Sequence, residues 1–298
     1  MTWQFSLTGL LIGVLVGLTG MGGGSLMTPI LIIFFGFKPT YAVGTDILHG
    51  AIFKTFGAIR HRKLGTVHAH LALWMFAGSG PMSLVGIGVA AILAHFYGDS
   101  AQSAEAKAIG VALMLGGAGL FAKAFLHPRP DGRELAVLSR RDRTIAFWLG
   151  FCGGFVVGLT SVGSGTFFGL VMLLVYPLAA RRIVGTDIFH AAALLWVAGF
   201  GYLALGKVDL HAMAWLLVGS IPGVLIGSQI GVGLPDRPLR TALATTLVLS
   251  GVKVVGVPES SWIIVGALIA GALALGGWKL AERAAARRPL PAAPETEV

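Results

Sequence analysis

Gly17-Leu18-Thr19-Gly20-Met21-Gly22-Gly23-Gly24-Ser25 decides the fold, because a version of it returns 141 residues later as Gly158-Leu159-Thr160-Ser161-Val162-Gly163-Ser164-Gly165-Thr166. The offset then holds without a gap. Val43-Gly44-Thr45-Asp46-Ile47 returns as Val184-Gly185-Thr186-Asp187-Ile188, and His49 returns as His190. Gly78-Ser79 and Pro81 likewise match Gly219-Ser220 and Pro222. From Gly17 to Gly86, 22 of 70 aligned positions are identical. Self-similarity of that length marks a duplicated unit. Whatever matters in it is expected where both copies contribute.

Composition narrows the class. The 298 residues are 55% apolar and only 12% charged, with a mean hydropathy of +0.83 and 44 glycines. Apolar runs that can each cross about 30 Å of hydrocarbon cover most of the chain. This predicts a polytopic, all-α membrane protein in which glycine permits close helix approach. The net charge of +9 sits in short loops between apolar segments, a pattern that topology explains and nucleic-acid binding does not. Cys152, the one cysteine, lies in an apolar run and reads as a small packing residue. Because no basic stretch precedes its first apolar run, the N-terminus reads as a membrane segment rather than a signal peptide.

Apolar segments are expected near 5–36, 40–59, 66–97, 105–126, 144–177, 181–204, 208–233, 239–257 and 260–280. The first segment of each repeat is over thirty residues long with a glycine-rich break in its middle. If each goes in and returns as a broken hairpin, 18 Lys and Arg residues share one side, against Lys38, Lys107, Lys207 and Lys253 on the other. Single crossings throughout give almost no bias, so the positive-inside rule prefers the hairpins. A hairpin plus three crossings is an odd count. The second repeat then enters inverted, with the N-terminus outside and the C-terminus cytoplasmic. The expected organisation is repeat 1 over 1–126, a cytoplasmic linker over 127–143 and repeat 2 over 144–257. An extra C-terminal transmembrane helix over 258–282 and a disordered tail over 283–298 follow. Inverted repeats with broken helices are a transporter architecture, with the site where the breaks meet.

The breaks themselves suggest the chemistry. Gly22, Gly23 and Gly24 expose backbone N–H groups, and a half-helix is expected to start at Ser25 with positive partial charge at its end. Gly163, Ser164, Gly165 and Thr166 supply the same in the second copy. Two such ends make a donor-rich anion cradle without formal charge. Asp46 with His49, and Asp187 with His190, lie three residues apart on one helix face, deep in a membrane segment. Ionisable groups there are functional candidates by default, as a proton-linked pair with Asp orienting His. The alternative is a scaffold in which Asp pairs with His or caps the half-helix. The repeated Asp-x-x-His also has ligand types for a divalent cation, poorly placed beside an anion cradle. Lys54, near the basic end of its segment, reads as snorkelling to the interface. His68 and His70 read as interfacial. No nucleophile elbow, zinc-protease pair, phosphate loop or Cys-x-x-Cys is present, so the chain reads as a non-enzyme without a cofactor.

Gly-Leu-Thr-Gly-x-Gly-Gly-Gly-Ser, followed by a Pro, Ala-Val-Gly-Thr and Leu-Gly-Thr-Val, resembles the TauE/SafE family of sulfite exporters and toluene-sulfonate uptake permeases. The resemblance covers roughly residues 5–256. It implies a bacterial-type inner-membrane permease for sulfite, organosulfonates or related oxidised-sulfur anions. It also implies a pore-lining role for Gly22, Gly23, Gly24, Gly163, Ser164 and Gly165, and for Thr45 and Thr186. Many members carry Ser where this chain has Asp46 and Asp187, and the second glycine motif has Ser161 and Ser164 in place of glycines. The expected partners are therefore a small anion, the lipid bilayer and, for a coupled mechanism, protons. A metal-cation permease using the Asp-x-x-His pairs and a membrane-embedded enzyme or accessory subunit stay open as alternatives.

Overall fold

A computed structural model describes residues 2–19, 24–125, 138–230 and 236–256. The first glycine break at Gly22 and Gly23, most of the linker, the extra segment 258–282 and the tail 283–298 lie outside them. The described residues form helices and no strands: α1 (Thr2–Thr19), α2 (Gly24–Ile33), α3 (Pro39–Lys63), α4 (Ala69–Phe125), α5 (Arg140–Thr160), α6 (Phe167–Val175), α7 (Ala180–Ala204), α8 (Leu210–Ile230) and α9 (Asp236–Val255). In α4, Gly98 adopts φ 52° and ψ −121°, which divides it into two spans, Ala69–Gly98 and Ser100–Ala122. Those two spans, Arg140–Thr160 and Arg181–Ala204 are long and apolar enough to cross a membrane. Trp3, Trp148, Phe96 and many leucines on the outer faces are exposed, as a lipid-facing surface requires. Cys152 is exposed too, so it is not the packing residue expected of it.

The duplication is visible in the backbone. α3 and α7 begin and end at equivalent residues, and α4 and α8 begin at equivalent residues. Both α3 and α7 stop for the same reason. Gly65 (φ 65°) and Gly206 (φ 64°) each take the left-handed conformation just past the last turn, where a side chain is penalised. α5 starts inside the expected linker, because Ser139 and Asp142 form a capping box. The Ser139 hydroxyl accepts from the Asp142 N–H, and the Asp142 carboxylate accepts from the Ser139 N–H.

The repeats do not fold as two neighbours; they exchange helices. α1 packs on α8, while its equivalent α5 packs on the first span of α4. Glycines make both seams. A Cβ placed on Gly9 or Gly13 would strike the backbone of Leu216 or Ser220, and one on Gly150 or Gly154 the backbone of Met75 or Ser79. These contacts are equivalent pairs. At the centre α3 packs on α7, and the second span of α4 packs on α9. There Gly110 and its equivalent Gly251 face each other's carbonyl oxygens. Without a hydrophobic drive between helices in lipid, such backbone-close packing is what associates them.

Candidate functional site

The second helix break is described in full. α5 ends at Thr160, and Ser161 caps it in the left-handed region (φ 61°), its N–H donating to Val157 O at 2.8 Å. Gly163 (φ 116°) and Gly165 (φ 114°) then turn the chain, and α6 opens after Thr166. A serine at positive φ is uncommon. Its equivalent in the first repeat is Gly20, which has no such cost. What holds Ser161 there is its hydroxyl, which donates to Asp46 Oδ2 at 2.8 Å.

Asp46 is therefore the hub between repeats. It comes from α3, is almost fully buried, and Oδ2 also accepts from the Thr28 hydroxyl of α2. Its Oδ1 is buried with no hydrogen-bond partner. One carboxylate thus ties α2, α3 and the second break together. The equivalents of its two partners are Gly20 and Gly169, so Asp187 cannot repeat this arrangement.

Asp46 does not orient His49, and this corrects the expectation of a same-helix pair. His49 Nε2 lies 2.9 Å from Ser220 Oγ of α8, and His190 Nε2 lies 2.9 Å from Ser79 Oγ of α4. Each histidine is bound to the other repeat at the serine of its Gly-Ser-x-Pro element. The two surroundings differ. His49 stacks on Phe53 (6.1 Å) and borders a cavity of about 10 Å³ lined by Asp46, Met27 and Ser220, room for about one water. Phe168, the equivalent of Met27, instead packs edge-on against His190 at 4.6 Å. Among the described residues no three His, Cys, Asp or Glu side chains converge as a metal-ligand group.

Thr45 and Thr186 are fully buried, and their hydroxyls are occupied in the same reciprocal way. Thr186 Oγ1 accepts from His68 N (2.9 Å), and Thr45 Oγ1 from the equivalent Asp209 N (3.0 Å). They hold the starts of α4 and α8. The His68 ring does so as well, its Nδ1 accepting from Leu71 N at 3.2 Å, so His68 is a helix cap rather than only an interfacial group.

Lys54 is the residue that sequence reasoning placed wrongly. It does not snorkel. The residue is 3% exposed, and its ammonium donates to Ser164 O (3.0 Å) and Ser164 Oγ (2.8 Å) in the second break. It lies within electrostatic reach of both Asp46 and Asp187. A formal charge therefore sits against the second break, where the sequence reading expected none. Ser164 and Thr166 are buried, and Thr166 Oγ1 has no hydrogen-bond partner. An apolar groove of about 820 Å³ between the second span of α4, α5 and α6 reaches this break at Val162 and Gly163. In the first repeat, the described part of α2 begins at Gly24.

A further buried acid lies apart from this hub. Glu105 in α4 accepts from the Thr40 hydroxyl at the start of α3 (2.6 Å).

Residues 5–254 match the family model described as "Sulfite exporter TauE/SafE". The chain is 38% identical over 257 residues to the "Probable membrane transporter protein YjnA" of Bacillus subtilis (strain 168), covering 86% of this chain and 100% of that protein. It is also 25% identical over 242 residues to the "Probable membrane transporter protein YdhB" of the same organism, covering 81% of this chain and 95% of that protein. No solved structure matches. A helical bundle with apolar outer faces, a glycine motif duplicated in the sequence and a family match over nearly its whole length make this chain a multi-pass membrane transporter of the sulfite exporter TauE/SafE family.

Proposed function

We propose that this chain is a permease for a small anion, such as sulfite, an organosulfonate or a related oxidised-sulfur compound, and is not an enzyme. The anion binds between the two helix breaks, at Gly22, Gly23, Gly24 and Ser25 from one repeat and Gly163, Ser164, Gly165 and Thr166 from the other. The observation that carries this reading is the second break, an unwound turn inside the bundle held open by side chains of α3. Unwound backbone at membrane depth is tolerated only where protein or a cavity satisfies it. Half-helix N-termini there offer N–H donors and positive partial charge to an anion that must also leave.

In this reading the repeats are inverted in the inner membrane, with the N-terminus outside and the C-terminus cytoplasmic. Thr45 and Thr186 keep the helix starts in register beside the site. Asp46 and Asp187 bias the breaks between two arrangements, and His49 and His190 latch each repeat to the other through Ser220 and Ser79. Protonation of the acids would couple transport to protons. An inside-negative potential favours anion efflux by about 2.3 kcal/mol per charge per 100 mV, so export needs no coupling ion.

Flux in proteoliposomes tests the reading. The full chain is expected to move sulfite, and the double variant His49→Ala/His190→Ala to retain part of that flux, because the histidines bind other helices rather than cargo. Nickel flux without sulfite flux, lost completely in the double variant, would establish the metal-permease alternative instead. Conversion of substrate without net movement would indicate an enzyme.

A further inference from the structure

We propose that the Lys54 ammonium is the group that receives the anion, and that Ser164 and the anion compete for it. This rests on the anion-permease reading above.

A buried ammonium is costly unless partnered, and ionisable groups at membrane depth mark pathways more often than packing. The hydrogen bonds of Lys54 go to one residue, the Ser164 carbonyl and hydroxyl, both neutral. They use two of its three hydrogens. Among the described residues, the acids near enough to act on its charge are Asp46 and Asp187, from the two facing helices α3 and α7. His49 and His190, the other titratable groups of these two helices at that depth, are bound to Ser220 and Ser79.

The duplication supplies a control for the structural explanation. The equivalent of Lys54 in α7 is Leu195, which is also buried. The fold is therefore satisfied by a leucine at this point of the central helix pair. A cation there is an addition that packing does not require, and it has been placed against the break.

The chemistry follows. An oxyanion offers charged acceptors in place of the neutral oxygens of Ser164, and a charge-assisted hydrogen bond is the stronger of the two. Taking Lys54 from Ser164 O also releases the backbone of the break, so binding and rearrangement of the break become one event. A compact ammonium on a flexible stem recognises charge rather than a planar shape, unlike a guanidinium. The site then selects small oxyanions over neutral molecules of the same size.

Thermal unfolding of the purified full chain, titrated with sulfite, methanesulfonate or dimethyl sulfone, tests this, since a ligand that binds the folded state raises its stability. Wild type is expected to be stabilised by sulfite and methanesulfonate and not by neutral dimethyl sulfone. Lys54→Arg keeps the charge and is expected to respond. Lys54→Gln keeps a donor for Ser164 and is expected to need at least about tenfold more anion. A Lys54→Gln response equal to wild type would overturn the proposal. Should that variant not fold, equal stabilisation of wild type by methanesulfonate and dimethyl sulfone overturns it without any variant. No response of wild type to either anion would instead remove the anion-permease reading itself.

Discussion

Replacing Gly154 with leucine is expected to leave no folded protein in the membrane. Gly154 lies on α5 where that helix crosses the first span of α4. A Cβ there would lie 2.5 Å from Ser79 Cα and closer still to Ser79 O. The obstacle is backbone, which cannot rotate aside, so the helices must separate along the seam. Separation also strains the Ser79–His190 contact, because Ser79 belongs to the same turn. Overpacking of a core side chain costs about 1–3 kcal/mol, and a clash with backbone along a whole helix pair exceeds that range. The equivalent Gly13→Leu meets Ser220 Cα at 2.8 Å and is expected to fail likewise. Gly88→Leu is the control, since nothing lies within 4 Å of a Cβ at that position. Size-exclusion profiles in mild detergent check this: a monodisperse peak for Gly154→Leu would contradict the packing described.

Asp46→Ala is the second large effect. It removes the acceptor for the Thr28 and Ser161 hydroxyls and withdraws one of the two acids that balance Lys54. Hydrogen bonds to a charged group contribute about 1.5–3 kcal/mol each, and breaking a buried charge cluster by removing one member costs about 3–5 kcal/mol. Ser161 would then keep its positive φ without the side-chain bond that holds it, and the break is expected to relax. Transport should fall by at least about 100-fold, with a lowered unfolding temperature. Asp46→Asn, which keeps the shape and one acceptor, is expected to fall between wild type and alanine. Wild-type flux in Asp46→Ala would mean that the break does not depend on this carboxylate.

Much of the scaffold was legible. The 141-residue offset was plain in the sequence, but the expected segments 40–59 and 181–204 ended at different points of the repeat, whereas α3 and α7 begin and end at equivalent residues. Gly65 and Gly206, which end both helices through a conformation only glycine adopts cheaply, were a signal the expected segment ends did not use. The capping box at Ser139 and Asp142 was present in the sequence and was obscured by the prolines and charges before it. The site was legible by address and not by partner. Asp46 and His49 share a face of α3, yet each finds a partner in the other repeat, at Ser161 and Ser220, more than a hundred residues away. Spacing along one helix carries no information about such contacts. Lys54 was misplaced for the same reason: its position along α3 is close to the basic end, and only the exchange of helices brings the second break against it. A comparison of the two repeats was the available signal, since Leu195 shows that Lys54 is the odd member of its pair.

The central claim is that an anion binds at the paired breaks, and charge movement tests it most directly. Solid-supported-membrane electrophysiology on the reconstituted full chain, stepping sulfite, thiosulfate, nitrate and nickel at two pH values, reads that movement. The account predicts a sulfite-evoked current that Ser164→Leu abolishes while the variant remains folded. A sulfite current that survives in Ser164→Leu, or a response to nickel alone, would contradict it.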